Sequence, residues 1–173
     1  MIETDIPQVR NGVGDDLLAL TAIYNHYVVS SHCTFDVTPL ESDERRSWLE
    51  HYHPRGRHRL LVATLSGDVC AYATSSAFRT KPAYDTSVEV SAYCRPDCRG
   101  RGLGRLLYEA LFEVLRHEDV HRAYAGVALP NDASVALHRH FGFVEAGLFH
   151  EVGWKFGHYW DVQWLEKEFN QNP

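Results

Sequence analysis

The chain has 173 residues, 45% of them apolar, which is enough for one domain around a single core and too little for two. A formal charge of −6 at pH 7 argues against nonspecific nucleic-acid binding. The opening MIETDIPQVRNG lacks the basic and apolar regions of a leader, and no apolar run approaches the roughly 20 residues that span a bilayer, so the chain reads as soluble and cytoplasmic, a partner of neither nucleic acid nor membrane.

In chain order, residues 15–31 place Leu17, Leu20, Ile23, Tyr24 and Tyr27 at helical spacing behind two aspartates, which predicts a first helix. After the loop CTFDVTP, a short second helix starts near Ser42 and ends before Pro54. RLLVATL and VCAYATSSAF, joined by SGD, read as an antiparallel hairpin. TSVEVSAYC alternates, with Val88, Val90, Ala92 and Cys94 on the core side and Glu89, Ser91 and Tyr93 on the other. The clearest helix is LGRLLYEALFEVLRH, whose apolar stripe reads as Leu106, Leu107, Ala110, Leu111 and Leu115. RAYAGVAL is then a strand stopped by Pro130, and NDASVALHRHF a helix capped by Asn131 or Asp132 and closed by Gly142. Two aromatic-rich strands around GWKFG finish the chain. This order of elements, free of repeats and linkers, predicts one α/β domain with a mixed sheet.

Cys33, Cys70, Cys94 and Cys98 form no C-x-x-C pair and read as free thiols. Eleven histidines invite a metal site, and HYH at 51–53 and the pair His117 and His121 have chelating spacings. The first lies beside a Pro-Arg-Gly turn, the second flanks acidic residues near a helix end, and no H-E-x-x-H occurs, so these read as surface histidines and no metal is expected.

The stretch CRGRGLG, residues 98–104, sits between a strand and the clearest helix. A dinucleotide fingerprint fails because Arg105 and Leu107 stand where its third glycine would fall, and a P-loop fails because no G-K-[ST] follows. What remains is R-x-x-G-x-G, from Arg99 to Gly104. Glycines at a helix start bring unpaired main-chain N–H groups close to a ligand, and pyrophosphate suits such a cradle. Arg99, Arg101 and Arg105 cluster at this start, and cations about a helix's first turn oppose its dipole by roughly 0.3–1 kcal/mol each, a cost that an anion among them removes. A solvated basic turn is the plainer alternative.

VSAYCRPDCRGRGLGRLLYEAL resembles motif A of the GCN5-related N-acetyltransferases. The resemblance to the phosphinothricin-acetylating branch runs over nearly the whole chain, through IYNHYV, FDVTP, AYDTSVEVSAY, LPNDASVALHRHFGF and GWKFGHYWDVQW. It implies a mostly antiparallel sheet, flanked by helices and split into a V that holds acetyl-CoA. In that scheme the pantetheine pairs with Ala92, Tyr93 and Cys94, and the phosphates meet Arg99, Gly100, Arg101, Gly102, Leu103, Gly104 and Arg105. Asn131, Ser134 and His138 complete the cofactor side, and their i, i+3, i+7 spacing independently puts them on one helix face.

Transfer to an amine needs a base, stabilisation of the oxyanion and a proton for the thiolate. Glu89 is the base candidate, because it interrupts an apolar strand just before the cofactor segment, where partial burial would raise its pKa; an exposed strand residue is the alternative. His138 occupies the position, four residues before Gly142, where many relatives carry the tyrosine that protonates the thiolate; it is assigned as acid or as cofactor-orienting group. Arg79 and Lys81 match two cations of the herbicide-acetylating relatives and suit an acceptor with a carboxylate and a second polar head. Phe35 and Tyr84 would wall its pocket, or would simply be core aromatics. Pro82 and Thr86 depart from the family pattern. The expected activity is acetylation of the α-amine of a small amino-acid-like substrate, of phosphinothricin or methionine sulfoximine type, by a homodimer. A protein N-terminus or lysine as acceptor, and a noncatalytic acetyl-CoA sensor, are the alternatives.

Overall fold

The computed structural model describes residues 6–169. Its centre is one seven-stranded sheet in the order β1-β2-β3-β4-β5-β7-β6. The strands are β1 (Gln8–Asn11), β2 (Arg59–Leu65), β3 (Asp68–Ala77), β4 (Ser87–Cys94), β5 (Arg122–Ala128), β6 (Val144–Lys155) and β7 (His158–Glu168). Four α-helices accompany them: α1 (Leu17–Ser30), α2 (Ser42–Leu49), α3 (Leu103–Leu115) and α4 (Asp132–His140). All neighbouring strands are antiparallel except β4 and β5, the pair joined through α3. The mixed sheet expected from the sequence is therefore present, with one strand added: β1 pairs with β2, and its four residues are too short a run to show alternation.

The two faces of the sheet carry separate cores. On one, Val88, Val90, Leu107, Leu111 and Leu165 pack beneath α3. On the other, Leu20, Ile23, Tyr27, Val62 and Tyr72 pack beneath α1. Covered on both sides, β2 is buried along its whole length, which explains its continuous apolar run. The buried face of α3 differs from the expected stripe: Leu103, Tyr108 and Phe112 join Leu107, Leu111 and Leu115, while Leu106 and Ala110 are only half-buried. The cause is a second neighbour, since Tyr108 and Phe112 meet Phe141 in edge contacts at 5.8 and 5.3 Å and so turn that face toward the chain just after α4.

What shapes the site is how little β4 and β5 touch. Their parallel pairing covers only Ser87, Val88 and Glu89 opposite Arg122, Ala123 and Tyr124. Beyond Glu89, β4 follows β3 and β5 follows β7, so the sheet opens into the V. Glu89 stands at its apex.

Candidate active site

A cavity of about 580 Å³ fills the opening on the α3 and α4 side. β4 contributes Ala92, Tyr93 and Cys94 to its lining, and on that side their main-chain groups have no strand partner. The loop before α3 contributes Arg99 and Gly100, and the helix start contributes Gly102, Leu103, Gly104 and Arg105. Gly100 and Gly102 have φ of 76° and 75°, the left-handed region that glycine enters without steric cost. No side chain caps α3, so its first N–H groups stay available to a ligand in the cavity. Gly104 serves differently: a Cβ there would lie 3.3 Å from Leu137 Cδ2, so this glycine lets α3 approach α4.

The three arginines separate in role. Arg99 lies over the Tyr27 ring at 5.2 Å and faces the cavity. Arg105 also lines it but pairs with Glu109 at 2.9 Å. Arg101 is exposed and lies outside the lining. The Tyr27 hydroxyl donates to the Cys94 carbonyl at 2.6 Å, tying α1 to the end of β4.

From α4, Asn131, Ser134 and His138 reach the same cavity, as their spacing predicted. Asn131 is the helix cap, its side chain accepting from the Ser134 N–H at 3.2 Å, and its amide also donates to Cys33 Sγ at 3.4 Å. His138 is buried, with both ring nitrogens engaged. Nδ1 lies 2.7 Å from the Ser134 carbonyl, which can only accept, so Nδ1 carries the proton. In the neutral ring Nε2 then accepts from the Tyr108 hydroxyl at 3.0 Å. Burial holds the His138 pKa below its ordinary value, partly opposed by the Ser134 carbonyl, and so favours this neutral tautomer. Burial raises the Tyr108 pKa, keeping its hydroxyl a donor.

Glu89 faces the other side of the sheet, opposite Ser76 on β3 and Tyr124 on β5. It is half-buried, and desolvation raises its pKa against the opposing charge of Arg79. Beside it Phe78 stacks on Tyr124 at 4.4 Å and meets Trp164 edge-on at 6.0 Å, while the Arg79 guanidinium lies 4.2 Å above Phe78. Arg79 has no carboxylate within 4 Å among the described residues, and the buried Trp164 Nε1 has no hydrogen-bond partner there. Lys81 and Tyr84 are exposed on the same β3–β4 connection, Tyr84 at 43%. Tyr84 is thus no core aromatic.

Phe35 is half-buried against the β6–β7 hairpin. A Cβ at Gly153 would fall 2.3 Å from its ring, so only glycine admits it. The neighbouring Lys155 is buried, donating to the carbonyls of Ser31 at 2.8 Å and Thr34 at 2.7 Å and lying 3.5 Å from that of Tyr27. It closes the C-terminus of α1 and fixes the loop that carries Phe35.

The acetyltransferase (GNAT) domain family model matches residues 13–164. The chain is a GNAT acetyltransferase. It is 54% identical over 162 residues to a phosphinothricin N-acetyltransferase of Streptomyces coelicolor, covering 92% of this chain and 95% of that one. It is 33% identical over 158 residues to an L-methionine sulfoximine/L-methionine sulfone acetyltransferase of Pseudomonas paraeruginosa, covering 91% and 92%. A solved GNAT superfamily phosphinothricin acetyltransferase of Sinorhizobium meliloti, in complex with acetyl-CoA, superposes with a TM-score of 0.90 at 30% identity, covering 95% of this chain and 89% of that one.

Sequence reasoning about this acetyltransferase missed Tyr27, Cys33 and Tyr108 at the cofactor cavity and Phe78, Tyr124 and Trp164 beside Glu89. Tyr108 carried a signal, a hydroxyl one helical turn from Leu111 and Phe112 on a face otherwise apolar. The aromatics beside Glu89 carried none, since three separate strands and loops bring them together.

Proposed function

We propose that this acetyl-CoA-dependent acyltransferase acetylates the α-amine of a small amino-acid-like acceptor, of phosphinothricin or methionine sulfoximine type. The observation that carries the reading is Glu89 at the apex of the V, half-buried beside an unpaired Arg79. An acceptor carboxylate held by Arg79, and reached from outside by Lys81, would bring its amine toward Glu89, with Phe35 and Tyr84 as walls. Glu89, its pKa raised, takes the proton that makes the amine nucleophilic. The names of the similar enzymes support this substrate class.

On the donor side, acetyl-CoA fits the residues present. The free edge of β4 over Ala92–Cys94 suits the pantetheine amides, and the uncapped start of α3 with Arg99 and Arg105 suits the pyrophosphate. Arg101 would act only at longer range. Asn131 and Ser134 hold the α4 side. The engaged nitrogens of His138 favour the orienting role over that of acid.

Acetylation of this kind would give resistance to the herbicide. A homodimer is supported by the apolar edge of β6, the turn after it and the start of β7, where Phe149, Val152, Trp154, Phe156 and Tyr159 are more than half exposed. Free thiols at all four cysteines suit a cytoplasmic location, and no described helix is long and apolar enough to cross a membrane. The deciding experiment follows release of the CoA thiol with acetyl-CoA and a panel of phosphinothricin, methionine sulfoximine and a lysine-containing peptide. Turnover on either amino acid supports the reading. Turnover on the peptide alone makes the protein a protein acetyltransferase, and tight acetyl-CoA binding with no turnover makes it a sensor.

A further inference from the structure

Another cavity, about 360 Å³, lies between the α2–β2 loop and the β3–β4 connection and shares no lining residue with the proposed cofactor cavity. Its walls are basic. His53, Arg55, Arg57 and His58 come from the stretch HYHPRGRHR and Arg79 from the far side, and Asp85 is the one carboxylate among its lining residues. In a chain of net charge −6, this gathering of cations around a hollow calls for a cause.

Ion pairing within the protein accounts for only part of it. Arg57 donates to the Asp85 carbonyl and lies 3.7 Å from the Asp119 carboxylate. Arg55 has no ion pair or hydrogen bond among the described residues, and Arg79 bonds only to the carbonyl of its neighbour Phe78 while stacking on that ring. The Ser87 and Tyr84 hydroxyls also line the cavity and make no hydrogen bond there among the described residues. The hollow therefore presents fixed cations and neutral O–H donors, the complement of an oxyanion's several acceptor oxygens. Its volume takes a tetrahedral or planar anion with some of its water.

We propose that this cavity is a second anion site of the protein, distinct from the cradle at the start of α3 and bordering the proposed acceptor pocket through Arg79 and Tyr84, for a small doubly charged oxyanion of the phosphate or dicarboxylate class held on the Arg55 side. Binding there is linked to protons. His58 is held below the ordinary histidine value, first by burial and then by Arg57 and His53, with His51 acting in the same sense and Asp85 opposing. An anion set among these groups favours the charged ring, so binding takes up a proton and tightens as the pH falls.

The test is calorimetric titration of inorganic phosphate, and separately of malonate, into the full chain under saturating acetyl-CoA, which occupies the α3 cradle. One molar equivalent of phosphate or malonate bound per chain is the expected result, and the tighter of the two at pH 8 assigns the oxyanion; the proton linkage is read with malonate, which stays mostly a dianion over this range and should bind tighter at pH 6 than at pH 8. Arg55→Ala should weaken binding by about tenfold, as for loss of one charged hydrogen bond, while turnover measured without added anion stays unchanged. His58→Gln should bind with the pH dependence removed. The proposal is overturned if neither anion binds, if rising acetyl-CoA displaces the bound anion, or if Arg55→Ala binds as the parent chain does, which together with lost binding in Arg79→Ala would put the anion in the acceptor pocket instead.

Discussion

The two sides of the V are built from different material. The donor side offers main chain: the unpartnered edge of β4 and the uncapped start of α3, shaped by glycines at 100, 102 and 104. The proposed acceptor side offers side chains gathered from far apart: Phe78 and Arg79 after β3, Glu89 on β4, Tyr124 on β5, Trp164 on β7 and Phe35 after α1. Main-chain recognition constrains one short stretch tightly. Side-chain recognition spreads its constraint over the whole fold, where each position is free to change alone.

Breaking the acceptor side should leave the donor side intact, and the largest effect is expected at Glu89. Glu89→Gln removes the proposed base while keeping shape, so kcat should fall by about 10²–10⁴-fold with acetyl-CoA affinity retained, measured by thiol release and by calorimetry. Full activity would remove Glu89 from the mechanism. Arg79→Ala deletes the cation proposed to hold the acceptor carboxylate, and KM for the amino acid should rise by roughly 10–100-fold with that for acetyl-CoA unmoved. The pH profile sharpens this second case. Arg79 lowers the Glu89 pKa against the larger effect of burial, so its loss raises that pKa further. With the ionised carboxylate as the proposed base, the acid limb of kcat/KM should move to higher pH; an unmoved limb would separate the two residues.

The donor side is tested by smaller changes. Tyr108→Phe leaves the buried Nε2 of His138 without its donor and should cost about 1–3 kcal/mol of stability, read in urea unfolding, while the KM for the amino acid stays as it was. Gly102→Ala forces a Cβ into a left-handed conformation, at about 1–2 kcal/mol, and should raise the KM for acetyl-CoA with little change in the acid limb. An equal rise in both KM values would mean that the two sides do not separate as described.

The same contrast explains which features are legible in the amino-acid sequence and which are not. CRGRGLG is legible because an anion at a helix start needs glycines and open N–H groups in sequence, and only some spacings suit it. The alternation around Glu89 is legible because a strand between two cores shows one charged position among apolar ones. The three glycines nevertheless look alike in sequence, whereas in the fold two serve backbone conformation and one the approach of α4. His138 is found by its position, but its pairing with Tyr108 depends on two helices meeting, which periodicity along either one does not report. The short strand β1 and the tilt of the α3 face escape for a related reason: both are decided by the neighbour rather than by the segment.

Lys155 links the edge of the sheet to the proposed acceptor wall. By reaching from the edge hairpin to the carbonyls at the end of α1, it makes the position of Phe35 a property of the sheet's outermost strand. Substitutions on β6 or β7, remote from acetyl-CoA, can therefore reshape the acceptor wall while the glycine loop stays unchanged. On the proposed site, the choice of amine is thus set at the periphery of the sheet and the acetyl donor at its centre.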